Sequence, residues 1–125
     1  MFLGDIAAVE GQMDEAERLY RTSIEHRRSL GDRGGQATAC DRLARILARD
    51  QPERAARLIG FADGQREMIA ASLPPADQAE REGLISDLEQ RLGAPLLASL
   101  RNSGRRLPLE VVIGDRDPEA ESRAS

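Results

Sequence analysis

The stretch from Leu3 to Ile24 constrains the fold more than any other part of the chain. Its small and apolar residues recur at helical spacing on both sides of Gly11, which interrupts the pattern. We therefore predict two antiparallel helices joined by a tight glycine turn, with Tyr20 filling the space between them. The residues that follow this spacing are Leu3, Ile6 and Ala7 before the turn, and Ala16, Leu19, Tyr20, Ser23 and Ile24 after it.

This pattern resembles the tetratricopeptide repeat (TPR), a helix-turn-helix unit that stacks into a solenoid. The resemblance implies an all-α fold of antiparallel helical hairpins that form a short right-handed solenoid. An ordinary helical hairpin with the same small residues is the alternative. The residues that carry the resemblance are Leu3-Gly4, Gly11, Ala16, Tyr20, Ser23 and Ile24.

A second copy of the pattern lies in residues 39–62, where Ala55 takes the place of Ala16 and Ile59 that of Tyr20, 39 residues further along. This period exceeds the usual value of about 34 for these repeats. Apolar residues at i, i+3, i+4 and i+7 give both helices of the second hairpin a buried face. These stripes are Cys40, Leu43, Ala44 and Leu47, followed by Ala55, Leu58, Ile59 and Ala62.

Residues 2–113, and the segment 53–93 most distinctively, resemble the C-terminal helical region of bacterial signal-transduction ATPases and of LuxR-type, MalT-like transcription regulators. The resemblance is carried by the Leu73-Pro74-Pro75 step, the polar helix ending in Leu92-Gly93, the Gly104-Arg105 turn and the apolar segment 107–113. It implies a sensor within a larger regulator. Binding of a protein or a small effector to the repeats would relieve restraint on an ATPase or DNA-binding domain elsewhere in the polypeptide.

The predicted organisation is a single repeat domain over residues 1–113, followed by a disordered tail at 114–125. The chain begins inside the predicted first helix, without a polar capping helix. We therefore expect a fragment of a longer protein, and a homodimer that pairs through this edge is the alternative. The predicted elements are hairpins at about 2–30 and 32–71 and further helices at about 75–92, 94–103 and 108–113.

The amino-acid composition argues against an enzyme. All 18 basic residues are arginine, so the chain offers neither the lysine of a phosphate-binding loop nor a Schiff-base lysine. Its one histidine, His26, and one cysteine, Cys40, do not readily make a catalytic triad or a histidine-rich zinc site. We predict that His26 is exposed, that Cys40 belongs to the core, and that the chain has no catalytic, cofactor-binding or metal-binding residues.

A basic stretch between Arg18 and Arg57 favours a rival hypothesis, because Arg42, Arg45 and Arg49 on one side of a helix could follow a nucleic-acid backbone. The net charge of −4 and the aromatic content of 2% argue against it. A solvated, salt-bridged helix face is the preferred interpretation. The link 31–35 is predicted to connect two helices, with Asp32 as the N-cap of the second.

The predicted function is to bind another protein, a neighbouring domain or a small effector. In solenoids of this type the first helix of each hairpin lines the concave surface. The chain has no apolar run of bilayer length and no signal peptide, so a cytoplasmic location is expected. The candidate contact residues are Asp5, Ala8, Val9, Ala44, Leu47 and Ala48.

Overall fold

The computed structural model describes residues 13–113. Within this range the chain is all-α: it forms helices and no strand, as predicted. The candidate first helix, before Met13, and the predicted tail at 114–125 lie outside the described residues. The helices are α1 (Met13–Ser29), α2 (Arg33–Leu47), α3 (Pro52–Ile69), α4 (Pro75–Leu92), α5 (Ala94–Arg106) and α6 (Leu109–Ile113).

The link between α1 and α2 is built around Asp32, whose carboxylate accepts a hydrogen bond of 2.9 Å from the backbone N–H of Gly35. Arg27 at the end of α1 donates a second bond of 2.9 Å to the same carboxylate. These two hydrogen bonds, that of Gly35 first, lower the pKa of Asp32. A Cβ at Gly35 would lie 2.8 Å from the Asp32 carboxyl carbon, so a side chain there would collide with the cap. The prediction of Asp32 as an N-cap is confirmed.

Helix α3 ends on a left-handed residue that is not glycine, Ala70, with a φ of 51°. The N–H groups of Ala70 and Ala71 donate to the carbonyl oxygens of Glu67 and Arg66, at 3.3 and 3.0 Å. These bonds satisfy the last carbonyls of α3 in the manner of a Schellman motif. The chain then turns towards α4, which begins at Pro75.

Helix α3 lies at the centre of the fold, because it packs against α2 on one side and α5 on the other and also contacts α4 and α6. Helix α1 packs against α2, and Glu17 of α1 also pairs with Arg54 of α3 at 2.8 Å. The fully buried side chains with the largest volumes include Tyr20 and Ile24 of α1, Leu43 of α2, and Leu58 and Ile59 of α3. The core is therefore made mainly from aliphatic residues of neighbouring helices.

Two glycines allow α3 and α5 to cross at very short distance. A Cβ built on Gly60 would overlap the carbonyl oxygen of Arg101 and lie 2.7 Å from its carbonyl carbon. A Cβ built on Gly104 would overlap the carbonyl oxygen of Arg57 in the same way, again 2.7 Å from the carbonyl carbon. Each helix thus brings its backbone against a glycine of the other, and neither position has room for a side chain.

This crossing changes the interpretation of one sequence motif. Gly104-Arg105 was expected to form a turn after a helix at 94–103, but both residues lie inside α5, which continues to Arg106. Gly104 serves close packing and not chain reversal. The backbone becomes extended at Leu107, and the short helix α6 starts at Leu109, directly after Pro108.

Candidate functional site

The most distinctive polar feature of the described chain is a cluster of ion pairs between α2, α3, α4 and α5, which we call the ionic cluster. It consists of Asp41 from α2, Asp63 and Arg66 from α3, Arg81 from α4 and Arg101 from α5. The two carboxylate side chains are only 15% and 12% exposed. Charges buried to this degree are tolerated only when they are paired.

Arg81 is the bridging residue of the ionic cluster. Its Nε atom donates to Asp41 Oδ1 at 3.1 Å, and its Nη2 atom donates to Asp63 Oδ1 at 2.5 Å. Nη2 also donates to the backbone carbonyl of Ile59 at 3.1 Å. One guanidinium from α4 thereby joins α2 and α3, which uses the several donors that arginine carries in a fixed plane. Asp63 has a further partner in Arg101, at 2.8 Å.

Burial and charge pairing compete at this cluster. Burial raises the pKa of the Asp41 carboxyl, although the positive charges of Arg81 and Arg66 oppose the rise. Burial also acts to lower the pKa of Arg81, but the carboxylates of Asp41 and Asp63 outweigh it, so the pKa is raised. Ionised Asp41 therefore depends on these two arginines for compensation of its lost hydration.

Arg66 is the least satisfied member of the cluster. The residue is 9% exposed, and its Nη2 atom lies 2.7 Å from Asp41 Oδ2. The angles of this contact do not meet those of a hydrogen bond, and within residues 13–113 no protein atom accepts a hydrogen bond from either Nη1 or Nη2 of Arg66. The guanidinium has charge compensation but lacks aligned acceptors.

Two adjoining cavities lie beside the ionic cluster and under α4. The first, of about 230 Å³, is lined by α2, Arg66, Leu73 and the first half of α4. The second, of about 480 Å³, lies between the end of α3, the 70–73 loop and α4. Arg66, Leu73 and Arg81 line both cavities. Cavities of these volumes can hold a molecule smaller than a typical drug, or a few groups of a larger molecule.

Helix α4 forms one wall of these cavities, which are open to solvent, and few of its side chains are buried. Of its eighteen residues only Leu84 and Leu88 are buried, while Ile85 and Leu92 pack against the core partly exposed. Beyond Arg81, Glu80 pairs with Arg45 of α2, and Arg91 donates to the carbonyl oxygen of Arg49 at 3.1 Å. Helix α4 thus contributes two buried residues and three sets of polar contacts, whereas α2 contributes eight buried residues.

The six candidate contact residues do not form one surface in the described part of the chain. Asp5, Ala8 and Val9 lie outside the described residues. Ala44 is fully buried and Leu47 is 4% exposed, while Ala48 is half-buried against the core. The side chains of Ala44 and Leu47 therefore pack between helices, and a contact role for this set stays a prediction.

The arginines considered for nucleic-acid contact are not a uniform stripe. Arg42 and Arg45 line the first cavity, and Arg45 is paired with Glu80. Arg49, which follows the end of α2, is exposed. His26 is exposed and Cys40 is fully buried, as predicted, and burial raises the pKa of the Cys40 thiol.

Between residues 13 and 113, no group of three or more histidine, cysteine, aspartate or glutamate side chains is placed to hold a metal ion. In the same range no helix combines the length and the apolar character needed to cross a bilayer.

Sequence reasoning missed the ionic cluster, because its members are far apart in the chain. Asp41 and Arg81 are 40 residues apart. One signal was present: Asp63 directly follows the apolar run from Leu58 to Ala62, and an acid at the buried edge of a helix requires a cation nearby.

Comparison with family models, with curated proteins and with solved structures finds no match for this chain.

Proposed function

We propose that this chain is a non-enzymatic sensor and interaction module in which a bound molecule changes the docking of α4. The observation that carries the proposal is the attachment of α4: two buried leucines and a set of ion pairs above two cavities. A sensor requires an element with two arrangements whose populations a ligand can shift. Helix α4 is the best candidate for that element in the described chain.

The energetics of the polar ties support a releasable helix. Exposed ion pairs such as Arg45–Glu80 contribute about 0–1 kcal/mol. At the buried pairs of Arg81, the loss of hydration offsets much of the attraction between the charges. Release of α4 would return Asp41, Asp63 and Arg81 to water, so the free-energy difference between docked and undocked α4 is expected to be small.

For the scaffold we propose a TPR-like repeat arrangement within the C-terminal part of a bacterial ATPase-type transcription regulator. The 39-residue offset supports it, since it relates Ala16 to Ala55 and Tyr20 to Ile59, all fully buried. In this proposal the chain is cytoplasmic and works in signal transduction. Released α4 would contact a partner protein or a neighbouring ATPase or DNA-binding domain.

Limited proteolysis of the native full chain with a glutamate-specific protease tests this function. We expect cleavage at the exposed Glu80, Glu82 and Glu89 of α4 to be about tenfold faster or more than cleavage at the exposed Glu25 and Glu53 of α1 and α3. Fractions of an extract from the source organism are then added. At least one fraction should slow or accelerate the α4 cuts.

The internal controls are the cuts at Glu25 and Glu53, which the active fraction should leave unchanged. Activity in a small-molecule fraction would identify an effector, and activity in a macromolecular fraction would identify a partner. Equal cleavage in all three helices, or α4 cleavage that no fraction changes, would contradict the sensor proposal.

A further inference from the structure

Helix α4 shows which side chains the surface beneath it can hold. We call the surface of α2, α3 and α5 that α4 covers the α4 groove. In this groove Arg81 donates hydrogen bonds to Asp41 and Asp63. Leu84 and Leu88, three and seven residues further along, are 9% and 0% exposed and belong to the core. This spacing places all three side chains on one face of a helix.

The α4 groove offers both signs of charge, and α4 matches both. Arg81 meets the two carboxylates, whereas its neighbour Glu80 pairs with Arg45 of α2. In the reverse order, each of the two side chains would meet a charge of its own sign. Complementary charges of this kind exclude wrong partners and fix the register of the right one. The groove therefore fits the pattern Glu-Arg-x-x-Leu-x-x-x-Leu, which α4 carries at residues 80–88.

Two features of α4 weaken the helix without serving these contacts. Gly83 lies inside α4, and nothing beyond its chain neighbours and the adjoining helix backbone lies within 4 Å of the position of its Cβ. Packing therefore does not require a glycine there, and glycine in a helix interior is less stable than alanine. The N-cap position is held by Pro74, and no side chain caps the first turn. A helix with the same pattern but without these features would occupy the groove more stably.

We propose that the α4 groove is the docking surface for a helix of a partner protein that carries the pattern Glu-Arg-x-x-Leu-x-x-x-Leu and displaces α4. The partner helix makes the contacts of Glu80, Arg81, Leu84 and Leu88, with a better helix former at the position of Gly83. This inference rests on the proposed function, since it names the kind of partner that would release α4.

Titration of the full chain with a competitor peptide tests the inference. The competitor has the sequence of residues 75–92 with Gly83→Ala and blocked ends, and the control peptide carries Arg81→Gln in addition. The tethered α4 competes at an effective concentration in the millimolar range, so the native chain should bind the competitor only at about 1 mM or above. The Arg81→Met full chain, whose own α4 is expected to be released, should bind it about tenfold more tightly or better.

Backbone amide NMR of the chain reports where the competitor binds. The amides of Asp41 and Asp63 should shift on binding, and those of Thr22 and Glu25 on α1 should not. In the native chain the amide of Leu88 should also move, towards its position in the Arg81→Met chain. The control peptide should bind about tenfold more weakly or worse to both chains, because it brings no cation to the buried carboxylates.

Two results would overturn the inference directly: equal binding of the two peptides, or no saturable binding to the Arg81→Met chain. The same affinity for both chains would also overturn it, since the competitor would then bind outside the groove. If the Arg81→Met chain does not fold, the native chain decides. Shifts of α4 amides that require the arginine of the competitor support the inference, and their absence at about 10 mM peptide overturns it.

Failure of the inference is distinguishable from failure of the proposed function. If an extract fraction alters α4 proteolysis but the competitor does not bind, the sensor remains and α4 is released in another way. If the competitor binds but no extract fraction changes α4 proteolysis, the groove accepts a helix of this pattern and the sensor proposal fails.

Discussion

Replacement of Gly60 or Gly104 by alanine is expected to produce one of the two largest losses of stability in this chain, about 3 kcal/mol or more for each variant. The added methyl group would overlap a backbone carbonyl of the facing helix, Arg101 in one case and Arg57 in the other. Backbone atoms cannot move aside as the end of a flexible side chain can. Helices α3 and α5 must separate, which disturbs the packing of both.

Gly83→Ala is the matched control, because this glycine lies inside α4 and nothing beyond its chain neighbours and the adjoining helix backbone lies within 4 Å of the position of its Cβ. Alanine there should stabilise the chain by up to about 1 kcal/mol through helix propensity. The measurement is urea unfolding followed by circular dichroism. Losses below about 1 kcal/mol at Gly60 and Gly104 would mean that the helices do not approach as closely as described.

The double variant Gly60→Ala with Gly104→Ala adds a second criterion. Both glycines belong to one crossing, so the separation forced by the first alanine already makes room for the second. The combined loss should therefore be clearly smaller than the sum of the two single losses. An additive result would place the two glycines in independent contacts.

Arg81→Met is expected to cause the other large effect, a loss of unfolding free energy that approaches the whole free energy of docking α4, a few kcal/mol at most. Asp41 and Asp63 would lose their common cation while keeping Arg66 and Arg101. Because α4 depends on this tie, we expect it to be released in the native variant. The dependence of the unfolding free energy on urea should then decrease, since less surface remains to be exposed.

Arg91→Met on the same helix is the control for this variant. Arg91 is exposed, and its hydrogen bond goes to the carbonyl oxygen of Arg49 and not to a buried carboxylate. Its replacement should change the unfolding free energy by less than about 0.5 kcal/mol and leave the urea dependence as it is. An Arg81→Met variant with reduced stability but unchanged urea dependence would make α4 an integral part of the core.

The helical class and several local features could be predicted from the sequence. The burial of Tyr20 and Ile59 follows from helical periodicity, and the N-cap at Asp32 follows from its position before a glycine-rich helix start. Such signals are local, because spacing within one helix determines which side chains share a face. They need no knowledge of how the helices are arranged.

The crossing of α3 and α5 and the ionic cluster could not be predicted in this way, because both depend on which helices are neighbours. Gly104 has the same sequence signature whether it ends a helix or fits against Arg57, and the first interpretation was chosen. Asp41 lies within the basic stretch between Arg18 and Arg57, and its pairing with Arg81 requires the chain to return after 40 residues. Long-range pairing leaves no periodic trace in the sequence.

The central claim is that α4 is released from the fold separately, and native-state hydrogen exchange of the full chain tests it most directly. We predict that the slowest amides of α4 exchange through a separate opening of the structure. The free energy of this opening should be lower than that of the opening of α2 and α3 by about 2 kcal/mol or more. Low concentrations of urea should leave this smaller opening nearly unchanged. If the slowest amides of α4 and α3 share one opening free energy and one urea dependence, α4 unfolds only with the core, and the sensor mechanism is contradicted.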